Sequence, residues 1–342
     1  VTVAEGWLPA ALNHGWIYRD RIGADDVGLP VSAFYAGRYR HSHRPQWQRR
    51  LAAGEITRNG QPLRADVALH AGDRLAWHRP PWQEAGVAAS WPVVYDDGDL
   101  HVIDKPSGLP VLPAGGFLEH TVLRLLERRH ASDPAGVPRP VHRLGRFTSG
   151  LLVCARRPAT RAWLSAQLRE STGSFPGSAS PAIKTAIPSR DVPLASGCRK
   201  VYRALLAPGH LALAIGESLR ITTPIGRRPH PLLGEIWCTA EAGDANALTA
   251  CSTLTLLGRH RNADLVEVVI ATGRPHQIRI HCAAVGAPLL GDPLYFPGGL
   301  ARPGVLPGEG GYQLHAQRLR LFRPEGMVLE LEASPGISTE TM

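Results

Sequence analysis

A polar turn that runs without a break into an apolar strand leaves a chain few ways to fold. The stretch Val141-His142-Arg143-Leu144-Gly145-Arg146-Phe147-Thr148-Ser149-Gly150-Leu151-Leu152-Val153-Cys154-Ala155 is of that kind. Its apolar half reads as a buried strand, so its polar half must sit at the rim of the sheet that buries it. There His, two Arg, Thr and Ser can meet a ligand, and guanidinium forks suit an anionic one. An Arg-rich surface loop ahead of a core strand has the same local pattern, so this stretch needs a companion.

The companion lies more than a hundred residues later, in Ala271-Thr272-Gly273-Arg274-Pro275-His276-Gln277-Ile278-Arg279-Ile280-His281, continuing to Gly291-Asp292-Pro293-Leu294-Tyr295. His276, Gln277, Arg279 and His281 around Ile278 and Ile280 imply a strand end or helix start with one polar face. Gly291-Asp292-Pro293 reads as a turn. Two histidines without a third ligand do not make a metal site, so an anion or nucleotide is the natural occupant. The sequence has no Walker A motif, G-x-G-x-x-G, G-x-S-x-G or H-E-x-x-H.

Charge points the same way. The chain carries 38 basic against 29 acidic side chains, a net charge of +9. Arginine supplies nearly all of that excess, since lysine occurs only at Lys105, Lys184 and Lys200. Arginine matches phosphate oxygens better than lysine does, which favours a nucleic-acid partner. Five cysteines without C-x-x-C spacing suggest neither a disulfide framework nor a thiolate zinc site. With no membrane-length apolar run and no signal-peptide pattern, the expected setting is the cytoplasm.

Along the chain, residues 1–18 read as an aromatic arm and 19–80 as a basic unit. Arg38, Arg49 and Arg50 of that unit lie near Tyr39 and Trp47, the pattern expected for RNA phosphates and unstacked bases. Asn59-Gly60 marks a tight hairpin. Residues 81–91 read as a linker, 93–104 as a hairpin, and 120–130 and 158–170 as amphipathic helices. Residues 171–197, rich in Ser, Gly, Pro and Ala, read as a flexible insertion. Strands are expected at 199–206, 249–257, 264–270, 314–322 and 327–332, and 333–342 as a tail. Short strands with few helices and no regular βαβ alternation predict an α+β fold with a large, mostly antiparallel mixed sheet.

Five segments in order, "DKPSGLPV" at 104–111, "HRLGRFTSGLLVCAR" at 142–156, "RKVYRALL" at 199–206, "TGRPHQIRIHCAAVGAPLLGDPLY" at 272–295 and "LHAQRLRL" at 314–321, resemble the RluA-type pseudouridine synthases. Gly54-Glu-Ile-Thr-Arg-Asn59-Gly60 with Leu69-His-Ala-Gly72-Asp73-Arg-Leu75 resembles the S4 RNA-binding domain. The resemblance implies a pseudouridine synthase domain over 92–332, preceded by a small S4-like domain. It implies isomerisation of uridine to pseudouridine in rRNA or tRNA by a monomer, without cofactor or metal. Tyr202 would pack on the base and move its C5 proton, Arg279 would pair with a catalytic Asp, and His142, Arg143, Thr148, Arg274, His276 and Gln277 would shape the substrate pocket.

The position of that Asp is Gly145, which offers no carboxylate. Three accounts are open. Another acid, such as Asp292 or Asp104, reaches the pocket; the chain is a catalytically impaired RNA-binding protein; or the substrate path differs. Tyr202 and Arg279 are expected to converge on Gly145.

Overall fold

The computed structural model describes residues 6–170, 184–185, 198–241, 243–324 and 326–337. They divide into two compact units, one of residues 10–85 with 229–235 and the other of the remaining described residues.

The larger unit is built on one mixed sheet, eleven-stranded among the described residues. Its main path runs Lys184–Thr185, Ser218–Ile221, Ser252–Arg259, Asp264–Ile270, Arg199–Leu206, Leu314–Phe322, Thr148–Ala155, Leu100–Lys105, Val93–Asp96. Thr148–Ala155, buried at seven of its eight positions, lies well inside this order, as its unbroken apolar run demands. It pairs antiparallel with Leu100–Lys105, so that Lys105 faces Gly150. On its other side it pairs parallel with Leu314–Phe322, Gly150 facing Ala316. Gly150 has φ +97°, and a side chain there would meet the Ala316 carbonyl at 2.3 Å, so only glycine allows this approach. The register brings the end of one strand and the starts of two others to a single rim. The segments following Lys105, preceding Thr148 and preceding Leu314 all meet there.

Helices cover the sheet as their periodicity predicts. Val122–Arg129 buries Val122, Leu125 and Leu126 and is capped by Thr121 Oγ1, which accepts from Arg124 N at 3.3 Å. Pro158–Glu170 is the second expected helix. Gln277–Ala284 resolves the second motif as a helix start.

The smaller unit has a four-stranded sheet in the order Trp16–Arg21, Arg74–Arg79, Ile56–Arg58, Gln61–Leu63, with helices Val31–Arg38 and Arg44–Ala52. Asn59 and Gly60 both adopt positive φ, as a two-residue hairpin turn requires. Trp47, Trp77 and Tyr35 are fully buried at its centre.

Three boundaries differ from the sequence expectation. Trp16–Arg21 is no arm but a strand fully paired with Arg74–Arg79. Residues 83–84 and 87–88, expected in a linker, pair instead with Ala11–Leu12 and Trp7–Leu8. Within the expected tail, Ala333 and Ile337 are core residues. Each depends on a partner distant in sequence, which a local pattern does not reveal. The expected insertion at 171–197 falls outside the described residues apart from Lys184–Thr185.

Candidate active site at the rim of the central sheet

The 142–148 turn is gripped on its backbone side by the loop that follows Lys105. Gly108 N donates to the Arg146 carbonyl at 3.0 Å, Arg146 Nε donates to the Gly108 carbonyl at 3.0 Å, and Ser107 Oγ donates to the Phe147 carbonyl at 2.9 Å. Beneath them Lys105 is completely buried. Its Nζ donates to the carbonyls of Pro106 and Leu109 at 2.8 Å and of Arg146 at 3.1 Å. Three acceptors match the three N–H bonds of an ammonium. Burial, aided by the Arg146 charge, pushes Lys105 down to about 7.

On its side-chain side the turn meets Tyr312. Gly145 is exposed and its φ lies outside the left-handed region, so backbone freedom does not explain the glycine. Space does. A Cβ on Gly145 would stand 2.1 Å from the Tyr312 hydroxyl oxygen and 3.3 Å from Thr148 Oγ1. The Tyr312 ring is buried, its hydroxyl lies 3.3 Å from Thr148 Oγ1, and its edge meets Phe147.

Arg279 lies over that ring, its guanidinium carbon 4.2 Å from the Tyr312 centroid and 5.0 Å from that of Tyr295. Its Nε and Nη2 each donate to the Asp292 carboxylate at 2.7 Å, a bidentate pair in which the two side chains are 3% and 0% exposed. Burial works against the Arg279 charge, and the Asp292 hydrogen bonds together with the charge interactions of Asp292 and the neighbouring tyrosines outweigh it, so its pKa is raised. Asp292 Oδ1 also accepts from the backbone N–H of Leu294 and Tyr295. Asp292 is therefore both the expected turn former and the carboxylate that meets Arg279. Asp104 stands elsewhere, on the Leu100–Lys105 strand with His315 near it, and burial raises its pKa.

The other expected site residues fall into two groups. Some face the turn. His276 holds φ +55°, an unusual conformation for a residue with a side chain, and opens the helix that carries Arg279. The Tyr295 hydroxyl donates to the Trp237 carbonyl at 2.7 Å, which leaves it to accept from His276 Nδ1, also at 2.7 Å. Burial, with the Arg279 and Arg143 charges, pushes His276 down to about 3, so its ring is neutral. Arg143 is exposed.

Others are engaged within the fold. Gln277 is buried, its Oε1 accepting from Thr272 Oγ1 and Arg274 N, its Nε2 donating to the Cys251 carbonyl and Ser252 Oγ. Arg274 Nε donates to the Thr249 carbonyl at 2.9 Å. His142 Nε2 accepts from Val153 N at 3.0 Å, and burial pushes the ring down to about 3. Tyr202 pairs with Ala316 across the sheet, and burial pushes its phenol well above the usual range. The aromatic side chain nearest Gly145 is Tyr312 rather than Tyr202.

In the smaller unit Arg38 Nε donates to Asp20 at 3.1 Å. Arg49 is exposed at the end of its helix. The Arg50 guanidinium lies 4.2 Å from the Trp47 ring centroid and 4.7 Å from that of Trp77.

Comparison with known proteins shows which family the chain belongs to. The family model described as RNA pseudouridylate synthase matches residues 99–174. An uncharacterized RNA pseudouridine synthase of Synechocystis is 39% identical over 84% of this chain and 87% of its own length. The chain belongs to the RNA pseudouridine synthase family. RNA pseudouridine synthase 5 of Arabidopsis thaliana is 35% identical over 91% of this chain and 89% of its own. The ribosomal large subunit pseudouridine synthase D of Pseudomonas aeruginosa is 32% identical over 71% and 66%. The span matched by the pseudouridine synthase model holds Lys105 and Gly145 but ends before Arg279 and Tyr312.

Tyr312 and Lys105 are the site residues that sequence reasoning missed. Lys105 lies inside a quoted motif, and its being one of only three lysines in the chain was its signal. Tyr312, an aromatic between a Gly-rich run and the strand Leu314–Phe322, carried a weaker one.

Proposed function

We propose that this chain isomerises uridine to pseudouridine in rRNA or tRNA with its own side chains, at the rim where 142–148 meets Arg279. One observation carries the reading. The buried, Asp292-paired guanidinium of Arg279 stacks on Tyr312, whose hydroxyl stands at Thr148 and Gly145. Two motifs far apart in sequence thus share one polar cluster beside exposed backbone. Uridine must leave its stack to reach such a cluster, and basic side chains offset that cost through phosphate contacts. His142, Arg143, Thr148, Tyr202, Arg274, His276 and Gln277 shape and support the pocket. The smaller unit, S4-like in sequence, binds RNA backbone through exposed arginines such as Arg38 and Arg49. The ribosomal name of the Pseudomonas relative supports rRNA as the first substrate to try.

The test is tritium release by the full chain from total RNA labelled at uridine C5. Release to water is the expected result, and none at stoichiometric protein would contradict it. A specific observation favours a second reading, RNA binding without isomerisation. Gly145 has no reactive group, and the Asp292 carboxylate is fully enclosed by its partners. Salt-sensitive RNA binding without any release would select that reading.

A further inference from the structure

We propose that Glu309 supplies the carboxylate that position 145 lacks, and that it acts on C1′ of the target uridine. The inference rests on the isomerase reading above. Elimination narrows the choice first. The segments that meet at the rim, 104–111, 141–155 and 271–316, contain three acids, Asp104, Asp292 and Glu309. Asp292 is withheld from chemistry, its oxygens holding Arg279 and two backbone N–H groups. Asp104 leaves its strand on the face opposite Lys105, toward His315 and the Ser334 backbone. Glu309 is exposed, and its carboxylate has no partner among the described residues. The backbone on either side of it is tied to the site. The Pro307 carbonyl accepts from Arg279 Nη1 at 3.2 Å and the Gly308 carbonyl from Arg146 Nη1 at 3.4 Å. Three residues beyond Glu309, the Tyr312 hydroxyl occupies the space beside Gly145. Glu309 therefore lies between two anchors that end on residues 145 and 146, and Gly145 is exposed as it is. Its neighbours at 308, 310 and 311 are glycines, so no adjacent side chain shields it.

The chemistry balances on that one group. A Glu309 oxygen bonds to C1′ as the N1–C1′ bond breaks, and the electron pair of that bond leaves with uracil. The base turns. Its C5–C6 π pair forms the C5–C1′ bond, the N1 pair forms a double bond to C6, and the C1′–O pair returns to the carboxylate. The carboxylate then takes the C5 proton and passes it to water. The electrons left behind restore the C5–C6 double bond, and N1 takes a proton from water. N1 has gained a proton, C5 has lost one, and nothing is oxidised or reduced.

The test compares wild type, Glu309→Gln and Glu309→Asp in single-turnover tritium release from C5-labelled total RNA, with RNA affinity and thermal melting measured alongside. The Glu309 carboxylate makes no bond within the described residues, so both variants are expected to melt and to bind RNA as wild type does. Glutamine is expected to slow release by roughly 1000-fold or more, as for loss of an essential nucleophile. Aspartate keeps the carboxylate but sets it back by one methylene, and should release roughly tenfold faster than glutamine. A wild-type rate in Glu309→Gln would overturn the proposal and leave the isomerase reading intact. So would a slow Glu309→Gln that regains the wild-type rate at saturating protein, which marks a residue that only binds RNA. Equal slowing in both variants would mark a structural role and overturn it as well. Absence of release by wild type itself would remove both readings.

Discussion

Lys105 and Arg279 are both buried cations of the site, Lys105 bonded to the 142–148 turn and Arg279 stacked on the Tyr312 ring that meets it, and they are held by opposite means. Arg279 has a carboxylate, Asp292, in a bidentate pair sealed from solvent. Lys105 has three backbone carbonyls. The first arrangement joins side chains, so each member is specified by the others. The second joins a side chain to main chain, so it constrains where the loop runs and little about its sequence. A paired charge keeps its protonation state across the whole physiological range, whereas one held only by dipoles sits within reach of neutral pH. The turn is therefore fixed rigidly on its chemical side and sensitively on its backbone side.

The largest expected effect tests the paired side. Arg279→Met leaves the Asp292 carboxylate buried and uncompensated, which costs roughly 3–5 kcal/mol. Chemical denaturation measures it, and a loss under about 1 kcal/mol would show that the pair adds little beyond its desolvation cost. Lys105→Met comes next. It takes the ammonium from the Pro106 and Leu109 carbonyls, while the Arg146 carbonyl keeps Gly108 N, at a cost of about 2–3 kcal/mol, and should loosen the turn without changing RNA affinity.

Protonation separates the two grips further. The folded Lys105 titrates near 7, below the ordinary lysine range. Between those values the unfolded chain binds the extra proton, so this group's contribution to stability is lowest below about 7 and rises with pH above it. Melting followed from pH 6 to about 9.5 should show that slope in wild type and lose it in Lys105→Met. An equal slope in both would assign the effect to another group.

The same contrast recurs on a smaller scale among the arginines of the small unit. Arg50 is stacked on Trp47 and Trp77, and Arg50→Ala is expected to cost about 1 kcal/mol of stability. Arg49 is exposed, and Arg49→Ala should leave melting unchanged while lowering the salt slope of RNA binding by about 1. A reversal of those two outcomes would relocate the RNA surface.

Much of this was legible in the sequence, for a physical reason. The 93–104 hairpin, the Thr121-capped helix, the Asn59-Gly60 turn and the buried strand at 148–155 follow from patterns within a few residues. The two site motifs were legible because polar side chains cluster where a strand meets solvent. What stayed hidden depends on packing between distant segments. Trp16–Arg21 needed Arg74–Arg79 to become a strand. Asp292 read as a turn former, which it is, and its Arg279 partner emerged only in three dimensions. Gly145 read as a missing carboxylate, whereas the structure shows a space filled by Tyr312, a residue whose proximity no spacing announces.

That space is open to direct test. A double-mutant cycle of Gly145→Ala and Tyr312→Phe, read by denaturant unfolding, isolates the close approach of one residue to the other. Gly145→Ala alone must displace the Tyr312 hydroxyl and should cost roughly 1–3 kcal/mol. In the Tyr312→Phe background the nearest ring atom would lie 3.5 Å from the new Cβ, ordinary contact, and most of that cost should vanish. Equal costs of Gly145→Ala in both backgrounds would contradict the claim that this glycine exists to admit the tyrosine hydroxyl.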